Sequence, residues 1–257
     1  MFSVDLNCDM GESFGAWAMG RDAELMDFVS SVNVACGFHA GDASVIRKTI
    51  ETAIAKGVAV GAHPSFPDLQ GFGRREMKMS AREVFDIVLY QVAAVKGICE
   101  ALGGRLHHVK PHGALYNQAA KDAKLARAIA EATKAIDENL ILYGLSNSFL
   151  IDEAKKINLR TASEVFADRT YQTDGSLTKR SEPNALIMNA EQAVAQVLQM
   201  ITDKSVTTAN GETIFIRAET VCIHGDGALA VEFAREIKRI LTAERILIRP
   251  IAGDRES

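Results

Sequence analysis

The stretch His107-His108-Val109-Lys110-Pro111-His112-Gly113-Ala114-Leu115-Tyr116-Asn117 is a basic and polar run placed where a strand should end. Side chains alternate faces along a strand, so His108, Lys110 and His112 share one face if the chain stays extended. Pro111 restricts Lys110 to extended conformations and gives no donor to a sheet ladder. Gly113 then allows a tight turn. An ammonium and imidazoles are costly to bury without partners, so clustering them at a strand end points to a site more than to a basic surface loop.

Working outward, the same arrangement recurs. Residues 2–8 read as a strand, with Phe2, Val4, Leu6 and Cys8 on one face and Asp5, Asn7 and Asp9 on the other, followed by Glu12. A helix is expected over residues 21–31, then a strand over 31–36 ending in Gly37-Phe38-His39. Asp42 is placed to cap a helix over 43–56, whose apolar positions follow the helical period. A short strand over 58–62 runs into His63, and Ser80 with Glu83 forms a capping box for a long helix ending at Leu102. The strand over 105–110 is the one quoted above. An alanine-rich helix over 119–135, a strand over 140–143, a helix over 149–157 and a strand over 159–166 follow. The polar segment 167–186 is long for a loop, which usually signals function or mobility. Beyond it come a helix over 189–202, a hairpin over 206–218 around Asn210-Gly211, a strand over 220–224, a helix over 228–241 and a last strand over 246–251.

Strand and helix thus alternate seven or eight times without repeat, linker or low-complexity tract, as one domain spanning residues 1–257. Polar groups follow nearly every strand: Asn7 and Asp9, His39, His63, Lys110 and His112, Glu164 and Asp168, His224 and Asp226. An open doubly wound sheet gathers its ligand at one switch point, whereas a barrel gathers groups from many strand ends at its C-terminal face. The pattern therefore predicts a seven- or eight-stranded (β/α) barrel with a small β-hairpin insertion.

Composition agrees. The 257 residues are 47% hydrophobic with net charge −4, enough for a large core and no advertisement of nucleic acid or anionic membrane as partner. Cys8, Cys36, Cys99 and Cys222 show no C-x-x-C spacing, and the start Met1-Phe2-Ser3-Val4-Asp5 lacks the pattern of a secretory leader, so a reducing cytoplasmic location is expected.

One carboxylate and two imidazoles from three strand ends, Asp9, His63 and His112, would suffice to hold a catalytic divalent ion with a place left for water. A metal-free hydrogen-bonded site fits the same spacing. Asp9 and Glu12 are the candidate acid and base, His112 a candidate acid, and Lys110 a candidate stabiliser of an oxyanion or a substrate carboxylate. Asn7, His39, Arg74, Tyr171 and His224 are assigned to substrate binding, Tyr171 and Arg180 as lid candidates on the long polar loop. For Arg74 and Arg75 a solvated surface pair competes with that role, for His39 a satisfied buried histidine. His107 faces away and reads as structural, and Asp42 as a helix cap. No G-x-x-x-x-G-K-[ST] occurs, Gly71-x-Gly73 does not open a dinucleotide fingerprint, and there is no G-x-S-x-G elbow.

Taken together, several motifs resemble the LamB/YcsF family: Asp5-Leu6-Asn7-Cys8-Asp9-Met10-Gly11-Glu12, Asn33-Val34-Ala35-Cys36-Gly37-Phe38-His39-Ala40-Gly41-Asp42 and Gly61-Ala62-His63-Pro64-Ser65-Phe66-Pro67-Asp68. Gly71-Phe72-Gly73-Arg74-Arg75, Val109 to Asn117, Glu164 to Tyr171 and Cys222-Ile223-His224-Gly225-Asp226 continue the match over almost the whole chain. The resemblance implies a distorted barrel of the glycoside hydrolase/deacetylase type. It also implies one subunit of an ATP-dependent 5-oxoprolinase, opening 5-oxoproline (pyroglutamate) to glutamate with two partner subunits, B and C. ATP would be used by the assembled complex, and self-association of this chain is left open. A looser analogy to metal-dependent deacetylases gives Asp9, His63 and His112 a metal-and-base role. The rival expectations are a metal-dependent deacetylase working without ATP and a non-catalytic lactam-binding subunit.

Overall fold

The computed structural model describes residues 2–224 and 230–252; Gly225, Asp226, Gly227 and the expected helix start at Ala228 lie outside the described residues. The elements in order are β1 (Ser3–Met10), α1 (Asp22–Leu25), β2 (Ser31–Ala35), α2 (Ala43–Ala55), β3 (Ala59–His63), α3 (Ala81–Ala101), β4 (Leu106–Val109), α4 (Gly113–Lys121) and α5 (Ala123–Ile136). They continue with β5 (Ile141–Leu145), α6 (Phe149–Lys156), β6 (Arg160–Phe166), α7 (Ala190–Thr202), β7 (Ser205–Thr207), β8 (Thr213–Phe215), β9 (Thr220–Ile223), α8 (Ala230–Ala243) and β10 (Leu247–Ile248).

Strands β1, β2, β3, β4, β5, β6 and β9 lie side by side, all parallel, and β9 pairs with both β6 and β1, which closes a seven-stranded barrel. Short β10 adds to the start of β1, and β7 with β8 forms the expected hairpin outside the barrel. The β3–β4 ladder shifts register between Val60 and Gly61, and β4–β5 is held by two residue pairs only, so the barrel is distorted around β4. Gly61 is needed there: a Cβ on it would meet the His108 imidazole at 2.1 Å.

The apolar core lies between strands and helices, not inside the barrel. Val4, Leu6, Cys8 and Met10 of β1 face outward into it, as do Ile46, Ile50 and Ala53 of α2. Inward-facing Asp5, Asn7 and Asp9 are also buried, so the period-2 pattern of β1 separates two buried environments, one apolar and one polar. The helix ends follow the sequence signals: Asp42 accepts hydrogen bonds from the Ser44 and Val45 amides, and Ser80 with Glu83 completes the capping box of α3.

Two expected helices come out differently. Over residues 21–31 only a single turn forms, because the Ser30 amide is drawn to the Leu6 carbonyl (2.9 Å) and the chain is already entering the barrel. The expected helix over 119–135 is two helices. Asp122 sits between them in an extended conformation and caps α5 through the Lys124 and Leu125 amides, while α4 starts directly after His112.

Candidate active site

The floor of the site is a hydrogen-bonded stack inside the barrel. Asp5 accepts from the hydroxyls of Ser30 (2.6 Å), Ser31 (2.7 Å) and Thr220 (2.6 Å). Burial nonetheless pushes its carboxyl above the usual range. One layer up, Asn7 donates to Glu164 (3.0 Å) and Thr220 (2.7 Å) and accepts from the Asn33 amide (2.7 Å). That amide also donates to Asp9 Oδ1 (2.9 Å), and Asn33 Oδ1 accepts from His108 Nε2 (2.7 Å). The Tyr116 hydroxyl donates to Glu164 (2.7 Å).

Lys110 and Asp9 crown this stack. The Lys110 ammonium lies 2.6 Å from Asp9 Oδ1, 3.1 Å from Cys222 Sγ and 3.3 Å from Glu164 Oε1, so its three donors are all engaged. Burial opposes its charge, but Asp9 above all outweighs burial and holds Lys110 well above its ordinary range. Burial likewise opposes the Asp9 charge, and positive charge at His63 and Lys110 outweighs it, holding that carboxyl well below its ordinary range. Glu164 is pushed up by burial.

Beside Asp9 sits a histidine cluster. His63 Nδ1–H donates to the Lys110 carbonyl (2.7 Å) and His112 Nε2–H to the Phe72 carbonyl (2.9 Å). Each outer nitrogen must therefore carry the proton, which leaves the inner nitrogens, His63 Nε2 and His112 Nδ1, facing each other at 2.9 Å. Two lone pairs cannot face at that distance unaided. Either one proton is shared between them or a cation is held there. His39 stacks on His112 with centroids 3.8 Å apart, its Nε2 lies 3.3 Å from Glu12, and its Nδ1 is buried without a hydrogen-bond partner. Burial and the neighbouring imidazoles hold His39 and His112 well below the usual histidine range.

The donor atoms of Glu12, His39, His63 and His112 lie within 4.8 Å of one another. Imidazoles whose outer N–H groups are fixed by backbone carbonyls are the usual form of metal-ligating histidines. The residues present thus fit a divalent ion. This convergent set brings in Glu12 and His39; Asp9, expected as a ligand, lies 3.3 Å from His63 Nε2, pairs with Lys110, and converges with Cys222 and His224 in a second group of donor atoms.

Across the strand ends, His224 Nδ1 is held by both Asp168 oxygens (2.8 and 2.9 Å), and its ring stacks on Phe166. Burial opposes the Asp168 charge, but His224 outweighs it and the carboxyl lies below its usual range. These groups border a cavity of about 1020 Å³ that Asp9, Glu12, His63, Lys110, His112 and His224 all line.

Of the residues expected to bind substrate, His224 and Arg74 line the cavity; Asn7, His39 and Tyr171 do not. Asn7 is fully buried in the stack and His39 lies behind His112. Tyr171 is fully buried too, and its hydroxyl accepts from the Phe166 amide (2.8 Å), so it anchors the end of β6 and forms no part of a lid. Arg75 is tied to Asp68, His107 binds the Ile251 carbonyl (2.9 Å), and the four cysteines are free and buried. Asn33, His108, Tyr116 and Glu164 belong to the site's support; His108 and Glu164 were expected at strand ends without an assigned role, and Asn33 and Tyr116 were not singled out. For Asn33, His108 and Glu164 the available signal was a polar side chain at an inward position of a strand; Tyr116, on α4, carried no such signal.

A closed (β/α) barrel with a buried acid–lysine pair, a histidine cluster and a carboxylate-oriented histidine around one cavity is a scaffold equipped for acid–base chemistry. The chain belongs to the LamB/YcsF family, whose model matches residues 4–256. It is 59% identical over 249 residues to the A subunit of 5-oxoprolinase from Tolumonas auensis, covering 97% of this chain and 99% of that one. Among solved structures, the lactam utilization protein from Thermus thermophilus superposes with a TM-score of 0.92 at 46% identity, covering 97% of this chain and all of that one. The catalytic domain of a peptidoglycan N-acetylglucosamine deacetylase from Eubacterium rectale shares the fold at 11% identity and a TM-score of 0.52, covering 97% of this chain and 88% of that one.

Proposed function

We propose that this chain is the lactam-opening subunit of an ATP-dependent 5-oxoprolinase, converting 5-oxoproline to glutamate with two partner subunits. The observation that carries the reading is that Asp9 and the His63–His112 pair face the same cavity as His224, whose ring Asp168 holds. One side can take a proton from water and the other can give one to a leaving nitrogen, which is what amide cleavage requires. The names of the related proteins supply the substrate class.

Activation by ATP fits both the depressed Asp9 carboxyl and the stability of the ring. A carboxylate held ionised by His63 and Lys110 is a weak base, poorly matched to an unactivated amide at neutral pH. A five-membered lactam also re-forms readily by intramolecular attack. In the proposed sequence, the partners transfer a phosphoryl group from ATP to the lactam oxygen and the ring N–H proton leaves to solvent, giving a cyclic imidate phosphate and ADP. Water then adds to its carbon in this barrel. The water oxygen becomes the new carbonyl, the ring C–N bond breaks, and both water protons end on the nitrogen. Asp9 receives the first proton and His224, oriented by Asp168, delivers one to nitrogen. The product is an acyl phosphate, and a second water releases glutamate and phosphate.

Lys110 serves as a positioning residue, since its donors are spent on Asp9, Cys222 and Glu164. Glu12, His39, His63 and His112 would hold a divalent ion, which when bound would supply Lewis acidity.

The test is reconstitution. Glutamate and ADP are measured from this chain, each partner and all combinations. Coupled glutamate and ADP formation only with all three is expected. Robust glutamate formation by this chain alone, without ATP, would favour a simple amidohydrolase.

A further inference from the structure

The cavity is far larger than a lactam ring needs, and its charge is unlike that of the chain. The protein carries a net charge of −4, yet seven Lys and Arg side chains against four carboxylates line the cavity among the described residues. Lys110 is neutralised by Asp9 on the floor and Lys121 pairs with Asp174, so the excess rests on the other lining cations. Arg169 is the centre of it. It is only 5% exposed, and its Nε and Nη2 donate to the Ala185 and Thr178 carbonyls, which clamp it to the polar segment 167–186. Neither Arg169 nor Arg180 has a carboxylate within 4.0 Å among the described residues; the Asp168 carboxylate, hydrogen-bonded to His224, attracts both from further off and offsets their charge only in part. Burial and the nearby Arg180 charge push Arg169 down to about 10. Two guanidiniums that line one cavity, one of them buried, call for an anion in it.

We infer that the outer cavity is an anion subsite in which Arg169 and Arg180, helped by Lys179 and the Ser181 hydroxyl beside them, grip the phosphoryl group of the activated lactam. The inference rests on the proposed function for the identity of its ligand. A planar, bidentate donor suits phosphate oxygens better than a point charge does. The same grip places the reacting carbon between Asp9 and His224 and retains the acyl phosphate until it is hydrolysed. It also keeps a water-labile intermediate inside the barrel after transfer from the partners.

The subsite is tested by calorimetry on the full chain, with inorganic phosphate and with 5-oxoproline as separate probes, for wild type, Arg180→Gln and Arg169→Lys. Saturable phosphate binding is expected, weakened about tenfold or more in Arg180→Gln, as for loss of a charge-assisted hydrogen bond. Binding of 5-oxoproline should be unchanged in that variant. Arg180 is only half-buried, so this variant should keep the wild-type melting curve; Arg169→Lys keeps the charge and isolates the planar grip. Phosphate binding that is absent, or equal in wild type and Arg180→Gln, would overturn the subsite, as would loss of 5-oxoproline binding in its place, which would assign the arginines to the substrate carboxylate. Reconstituted turnover separates the two ideas. Coupled turnover without Arg180-dependent phosphate binding removes the subsite alone. Arg180-dependent phosphate binding in a complex that makes no glutamate keeps the anion site and removes the activated lactam as its ligand.

Discussion

Replacing Lys110 with Met removes the ammonium at nearly constant volume and leaves Asp9 and Glu164 buried without it. Lys110 is 2% exposed and Asp9 7%, so solvent cannot compensate. Breaking a buried ion pair on one side costs about 3–5 kcal/mol, a large part of the roughly 5–15 kcal/mol that holds a domain folded. At about 2–4 °C per kcal/mol for a chain of this size, the melting temperature should fall by roughly 6–20 °C. The pH dependence carries the mechanism. In the wild type the Asp9 carboxyl lies well below its unfolded value, so its contribution is present above about pH 3.9 and is lost as pH falls through the folded value. Without Lys110 that carboxyl rises, takes up a proton on mild acidification, and the deficit of Lys110→Met shrinks. Urea unfolding of wild type, Lys110→Met, Asp9→Asn and the double variant between pH 5 and 8 measures this. The double variant should be more stable than the sum of single losses allows, by about 1 kcal/mol or more. A Lys110→Met protein within about 1 kcal/mol of wild type at pH 8, or strict additivity, would refute the argument.

In the reconstituted enzyme, Asp9→Asn should lower turnover by about 100-fold or more with the fold intact by circular dichroism; near-normal rates would remove Asp9 as base. Asp168→Asn should lower kcat by about 100-fold with KM little changed, and an unaltered kcat would show that His224 needs no carboxylate partner. If a divalent ion is held by the cluster, His63→Ala and His112→Ala should each lower metal content, read by elemental analysis, and rate together; full activity after exhaustive chelation would leave the shared-proton alternative. His108 is held well below its usual range by burial first, then by His107 and Lys110. It stays neutral when folded but gains a proton when unfolded, so its stability contribution is complete above about pH 6.5 and is lost below it, by about 1.4 kcal/mol per pH unit. Comparison of His108→Gln with wild type by urea unfolding from pH 7 to 5 checks this, and parallel slopes would count against it.

The order of strands and helices, the capped starts of α2 and α3, the hairpin at Asn210-Gly211 and the barrel were all legible from local chemistry: period, caps and turn residues act over a few positions. So was the clustering of polar groups at strand ends, because alternation along a strand assigns faces without knowledge of the partner strands. What the chain alone left open are distances between residues far apart in sequence. That Lys110 spends its donors on Asp9, Glu164 and Cys222, that Tyr171 turns inward to hold Phe166, and that Glu12 and His39 join His63 and His112 all depend on how neighbouring strands are staggered. The break at Asp122 shows the local limit as well: one side chain able to cap a helix can either sit within a long helix or divide it, and here it divides it. Register in a closed barrel is a collective property of seven strands, which is why the residue types were readable and their pairing was not.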